Sequence, residues 1–330
     1  MSTRVKTMSP TSMKMLKFAL NNKALLLLII AFIASLISTG GNTINPFNLT
    51  SLMRQIPAYA IMAIGFTVIF TAGEFDMSAG SSLSLCTVMF AIWSIQYPLA
   101  VAIVGVVILG IVVGLINGAI IRMFNLNAFV LTLATAQIID GIAGQITGGG
   151  NVSGLSEAAR FLGQAVILGH IPVSFLVAIT VIVLVWILLG KTLFGRHLVA
   201  TGANLEAAKV SGIKTVHIRI AAYGIIGMCA GITSVLLAGR MGMGSPTAGV
   251  VYTLDCIAAV VIGGTTMRGG KPKVVGTLFG MGLIVVINNM LSLLGIGTFW
   301  QMMSKGVIIV IAIVLDSLSE KFAAMQRTGA

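Results

Sequence analysis

Residues able to do chemistry are scarce in this 330-residue chain, which holds only eight Asp and Glu. Asp76, Asp140 and Asp255 lie in or at the start of apolar runs. The amides Asn117, Gln137, Gln145, Asn288 and Asn289 share those runs. An ionisable or amide group amid apolar sequence is costly to bury, so each one is a candidate for a solute path or for hydrogen bonding between helices. Asp76 and Asp255 are open to two readings. Each could cap the helix it begins, accepting hydrogen bonds from free backbone N–H groups, or each could line a path. Asn117 and Asn288 could likewise join helices or face the solute. The candidate path set is therefore Asp76, Asn117, Gln137, Asp140, Asp255, Asn288 and Asn289.

Other chemistries are missing. Gly269-Gly270-Lys271-Pro272 lacks the spacing and the Ser or Thr of a phosphate loop, so the chain has no route to ATP hydrolysis of that kind. No HExxH, metal-spaced histidine cluster or nucleophile elbow occurs. His170, His197 and His217 fall at the ends of apolar runs or in loops and read as interfacial. Cys86, Cys229 and Cys256 are far apart, odd in number and without CxxC spacing, and they read as small buried hydrophobes. No catalytic residue, metal or cofactor is expected.

Apolar elements must position these groups. The chain is 57% apolar and 8% charged, with a mean hydropathy of +1.07, whereas a soluble domain is about 25% charged. Such a chain cannot keep a folded surface wet. That excludes a soluble enzyme, a disordered regulator and a small disulfide scaffold, and it leaves an integral membrane protein. The apolar runs are continuous rather than alternating, which favours helices over a β-barrel. Ten spans are expected, near Ala24–Ser38, Ile56–Ala72, Ala79–Ile95, Pro98 to just before Arg122, Ala128–Ile146, Ile171–Leu189, Ile218–Ala238, a short Leu254–Gly264, Val274–Leu294 and Phe299–Leu315. The fold class is all-α and polytopic. It has a basic tail over 1–23, one transmembrane domain over 24–316 with a polar connection at about 191–217, and a tail over 317–330. The N-terminus is basic and then apolar, but no clear cleavage site follows, so the first apolar run is read as a retained helix.

Twenty Lys and Arg give a net charge of +12. In a membrane protein this excess belongs to cytoplasmic loops rather than to nucleic acid. With a cytoplasmic N-terminus and ten crossings, 16 of the 20 cations fall on the cytoplasmic side. Arg54, Arg160 and Arg240 remain outside, and Lys305 lies in the last span. Both termini are then cytoplasmic. A weak internal repeat is also present. Asp76 and Asp255 each open a span, Asn117 and Asn288 lie within later ones, and Phe129 and Phe299 follow those Asn residues at similar distances. Five intervening spans would make the repeat inverted, a feature of transporters.

Gly105, Gly110, Gly114 and Gly118 lie at near four-residue spacing, a face suited to close helix packing. The segment Gly202-Ala-Asn204-Leu-Glu206-Ala207-Ala208-Lys209-Val-Ser-Gly212 predicts a short amphipathic helix. Asn204 caps it, Glu206 lies in its first turn and Gly212 stops it. It is too short to span. It lies on lipid as an interfacial helix, or it docks a cytoplasmic partner.

Several ordered motifs resemble the permease subunits of ribose-type sugar ABC importers. They are Gly202 to Ile213, Ser245-Pro-Thr-Ala-Gly249, Leu254-Asp-Cys-Ile-Ala-Ala-Val-Val-Ile-Gly-Gly-Thr265, Asn288-Asn289, Gly73-Glu-Phe-Asp-Met-Ser-Ala-Gly80 and Phe129-Val-Leu-Thr-Leu-Ala-Thr135. Glu74 departs from the family pattern, which usually has a small residue there. So does Lys271-Pro272-Lys273, in a loop that is usually rich in glycine and serine. The resemblance implies a ten-span permease of the bacterial inner membrane, paired with a second copy or a paralogue. Two ATP-binding subunits bind the nucleotide, and an extracytoplasmic binding protein delivers a monosaccharide or similar small polar solute. Asn204, Glu206, Ala207, Ala208, Lys209 and Gly212 would form the helix that couples to the ATPase. A permease for a nucleoside or furanosyl signalling molecule, and a stand-alone secondary transporter, are the rival expectations. An ion channel is disfavoured by the lack of a filter-like run.

Overall fold

The computed structural model describes residues 22–167, 171–297, 299–304, 306–307 and 310. In chain order the helices are α1 (Lys23–Ser38), α2 (Pro46–Thr71), α3 (Ala79–Gln96), α4 (Leu99–Phe124), α5 (Ala128–Thr147), α6 (Glu157–Gln164), α7 (Val173–Lys191), α8 (Leu193–Ala203), α9 (Leu205–Val210), α10 (Thr215–Met241), α11 (Val250–Ile262) and α12 (Val274–Leu293), with a 3-10 turn at Asn42–Ile44. Among the described residues, seven helices are long and apolar enough to cross a membrane: α2, α3, α4, α5, α7, α10 and α12. Helices α1 and α11 are apolar but shorter. Of the expected tenth span, residues 299–304, 306–307 and 310 are described and helical, and its other positions lie outside the described residues.

Two of the expected boundaries differ in the structure. Helix α2 begins at Pro46 rather than near Ile56. The Asn45 side chain accepts from Phe47 N at 3.0 Å, and Pro46 occupies the first turn, where its missing N–H costs nothing. Polar residues in the first turns of α2 conceal it from hydropathy. Helix α11 begins at Val250 rather than at Leu254. Gly249 N is satisfied by Ser84 Oγ at 2.8 Å, and Tyr252 stacks on Tyr59 of α2 with ring centroids 4.3 Å apart. The polar connection at 191–217 is mostly helical, being filled by α8, α9 and the first turn of α10.

Helix α10 forms the centre and packs on α2, α3, α4 and α6. Its Tyr223, Ile226, Cys229 and Ala230 are fully buried. The α4–α10 contact is made by small residues. A Cβ on Gly110 would collide with the Gly227 carbonyl, and one on Gly114 with the Tyr223 carbonyl. Water supplies no drive for helix association inside a bilayer, so close backbone approach does this work. Gly105 turns away from α10 and meets Trp93 of α3. Helices α4, α5 and α7 leave most of their apolar surface exposed, whereas α2 and α10 are mostly buried. Two short antiparallel pairings, Val152–Ser153 with Met243–Gly244 and Val166–Ile167 with Ile171–Pro172, tie the connections around α6.

Candidate functional site

Five of the seven candidate path residues fall into two polar networks. The first surrounds the connection between α2 and α3. Asp76 Oδ1 accepts from Ser78 N at 2.8 Å and from Ser78 Oγ at 2.6 Å, one residue ahead of α3. Asn117 of α4 donates to Ser78 Oγ at 2.8 Å and accepts from Thr135 Oγ1 of α5 at 2.9 Å. Thr132 Oγ1 of α5 accepts from Met77 N at 3.0 Å. Asp76 and Asn117 are 2% and 1% exposed, and the network joins α3, α4 and α5.

The second network lines a cavity of about 710 Å3 between α2, α11, α12 and the residues Gln301, Met302 and Gly306. Asp255 is the sixth residue of α11, so it does not cap that helix. Its carboxylate accepts from Asn288 Nδ2 at 3.3 Å, and Tyr59 lines the same cavity. Asn288 Oδ1 is buried and has no hydrogen-bond partner among the described residues. Next to it, Asn48 and Asn289 exchange reciprocal amide bonds of 3.0 and 2.7 Å. Asp255, Asn288, Asn289, Asn48, Ser51, Gln55 and Tyr59 all line the cavity. Sequence reasoning missed the four α2 residues. The signal was present: positions 48, 51, 55 and 59 recur at helical spacing along one face. A separate cavity of about 390 Å3 lies against Lys23, Trp186 and Lys273 at the opposite end of α12 and shares no lining residue with the polar one.

In both halves of the chain an Asn reaches the Asp it follows, through Ser78 in the first half and directly in the second. Gln137 and Asp140 join neither network. Gln137 is exposed on α5, and Asp140 Oδ1 has no partner among the described residues.

Outside these networks, α9 is a single capped turn and a half. Asn204 Oδ1 accepts from Ala207 N at 3.0 Å, and Gly212, with φ of 79°, follows its end. Glu206 and Lys209 pair at 2.8 Å on its exposed face, and Ala208 anchors the other side at 4% exposure. Val210 is 90% exposed. Nearby, Glu74 is buried and contacts Arg122 at 3.3 Å and Arg219 at 3.1 Å. Tyr223 Oη donates to it at 3.0 Å.

A bundle of apolar helices enclosing a polar cavity defines a polytopic membrane protein built to pass or hold a polar solute. Residues 48–313 match the family described as branched-chain amino acid transport system / permease component, and the chain belongs to that family. It is 37% identical over 294 residues to the ribose import permease protein RbsC of Bacillus subtilis (strain 168), covering 88% of this chain and 90% of that one. Identity to RbsC of Escherichia coli (strain K12) is 35% over 296 residues, 88% of this chain and 91% of the relative. Identity to the galactose/methyl galactoside import permease protein MglC of Escherichia coli (strain K12) is 32% over 328 residues, 91% and 98% of the two chains. No solved structure matches. The chain is a multi-pass permease subunit of the ABC importer class, which works with ATP-binding and solute-binding partners.

Proposed function

We propose that this permease imports a monosaccharide or similar small polar solute by alternating access, with the polar cavity as a station on the path. One observation carries the reading. A cavity of about 710 Å3 in an apolar bundle holds a clustered carboxylate and amides, and the buried acceptor Asn288 Oδ1 has no partner among the described residues. The volume lies within the range of about 300–1,000 Å3 typical of small-molecule sites. Sugar hydroxyls are donors as well as acceptors and match Asp255 and Asn288. The relatives named for ribose and galactose import support the same class of solute.

Asp76 and Asn117 act in this reading as struts beside the path. Gln137 and Asp140, on the poorly covered α5, are candidates for the path only where a second permease copy or paralogue completes it. Energy comes from two cytoplasmic ATP-binding subunits docking on α9, and no cofactor binds this chain. Both termini face the cytoplasm of a bacterial inner membrane, a placement supported by the cation bias.

The test is uptake of labelled pentoses and hexoses by cells lacking this permease and complemented with it. Uptake of a monosaccharide that is lost when the cognate ATPase is inactivated supports the reading. Uptake that persists without the ATPase and follows an ion gradient refutes it in favour of a secondary transporter.

A further inference from the structure

Glu74 belongs to neither polar network. It is 5% exposed and is held by two arginines from distant helices, Arg122 near the end of α4 and Arg219 in the second turn of α10. Tyr223, one turn after Arg219, donates to Glu74 Oε2 and to the Phe75 carbonyl, both at 3.0 Å. A buried charge cluster is a poor device for stability alone, because the desolvation of its members offsets much of their attraction. It does make a stiff joint. Pulling Glu74 away strands both arginines without a counter-charge.

The parts so joined matter. Arg219 follows α9 through a short connection in which Ile213 N donates to Ala208 O at 3.1 Å and Thr215 N to Ile213 O at 2.8 Å. On the other flank of α9, helix α8 ends with Gly202 set directly against the Thr71 carbonyl, where a Cβ would collide. That same carbonyl accepts from Gly270 N at 3.0 Å. Both ends of the α9 segment are therefore fastened to one short stretch, residues 71–74. Two residues further along, the stretch becomes Asp76, which opens the buried Asp76–Ser78–Asn117–Thr135 network between α3, α4 and α5.

We propose that Glu74 is a positioning residue that carries displacement of α9 into this intramembrane network, so that the joint, and not the neutralisation of two arginines, is its role. The proposal rests on α9 being the docking element of the ATPase. A contact path earns this reading only if breaking it changes coupling.

The experiment uses the full complex in liposomes, with permease yield, co-purification with the ATPase and solute-stimulated ATP hydrolysis all measured. Glu74→Gln leaves two buried cations unopposed. Glu74→Gln combined with Arg219→Gln restores the original charge balance but still cuts the joint. Arg219→Lys keeps the charge and replaces a planar fork with a point donor. The double variant is expected to recover yield and co-purification, with stimulated hydrolysis down by about 5- to 150-fold, the range of ordinary coupling. Arg219→Lys is expected to lower stimulation at unchanged yield. Recovery of stimulation together with yield in the double variant overturns the proposal, as does wild-type stimulation in Arg219→Lys. Glu206→Lys, run alongside, tests the docking reading separately. If it leaves co-purification and uptake intact, that reading fails, whatever the Glu74 variants do.

Discussion

Asn288→Leu separates a solute contact from structural glue. Asn288 makes one long hydrogen bond, 3.3 Å to Asp255, and its Oδ1 has no partner among the described residues. Losing one interhelical side-chain bond in a membrane costs about 0.6 kcal/mol. Removing a buried acceptor that is unsatisfied recovers about 1–3 kcal/mol. Tyr59 still faces the cavity that Asp255 lines. The fold is therefore unchanged or stabilised by up to about 2 kcal/mol, and the amount of folded permease should not fall. If Asn288 contacts solute, losing one hydrogen bond of about 0.5–1.5 kcal/mol weakens uptake roughly two- to tenfold. Asn117→Leu provides the contrast. It loses bonds of 2.8 and 2.9 Å, but Ser78 retains Asp76 at 2.6 Å and Thr135 retains the Leu131 carbonyl at 3.0 Å. It should cost about 1 kcal/mol of stability and lower the amount of permease more than Asn288→Leu does. The assay is initial uptake rate divided by membrane-inserted permease. A wild-type ratio for Asn288→Leu refutes the reasoning, as does a loss of uptake that only follows a loss of protein.

Glu206→Lys reverses a helix-dipole contribution of about 0.3–1 kcal/mol and removes an exposed ion pair worth at most about 1 kcal/mol. The permease should still insert, with ATPase co-purification and uptake both reduced. Gly110→Val pushes α4 off the Gly227 carbonyl and should cost about 1–3 kcal/mol, seen as lost yield in mild detergent. Gly190→Ala, with nothing within 4 Å of its added Cβ, should keep its yield. With the three buried native cysteines replaced, an impermeant thiol reagent on intact cells should label Asn151→Cys and spare Val210→Cys, and the opposite pattern inverts the topology.

What was legible in the sequence was local or compositional. Asn204 and Gly212 bracket α9 because a cap and a stop are decided within a few residues. The apolar runs marked most helices. The packing stripe of Gly110, Gly114 and Gly118 was legible in its spacing, and Gly105 fell outside it because neighbouring Trp93 fills that side. The start of α2 was hidden because Asn48, Ser51 and Gln55 lower its hydropathy while they face a cavity. Asp255 was misplaced at a helix start because the turn before it depends on Ser84, 165 residues away, and on stacking with Tyr59. The Asn48–Asn289 pair spans 241 positions and the Tyr223–Glu74 bond 149. Pairings at such separations are set by tertiary packing and leave no local pattern.

The central claim, ATP-driven import of a sugar through this permease, is tested most directly by reconstitution. Liposomes holding the permease and its ATPase, with binding protein outside and ATP inside, should accumulate labelled monosaccharide, and omitting any one of the three should abolish accumulation. Accumulation by the permease alone under an ion gradient, or the same uptake with and without ATP, would contradict it.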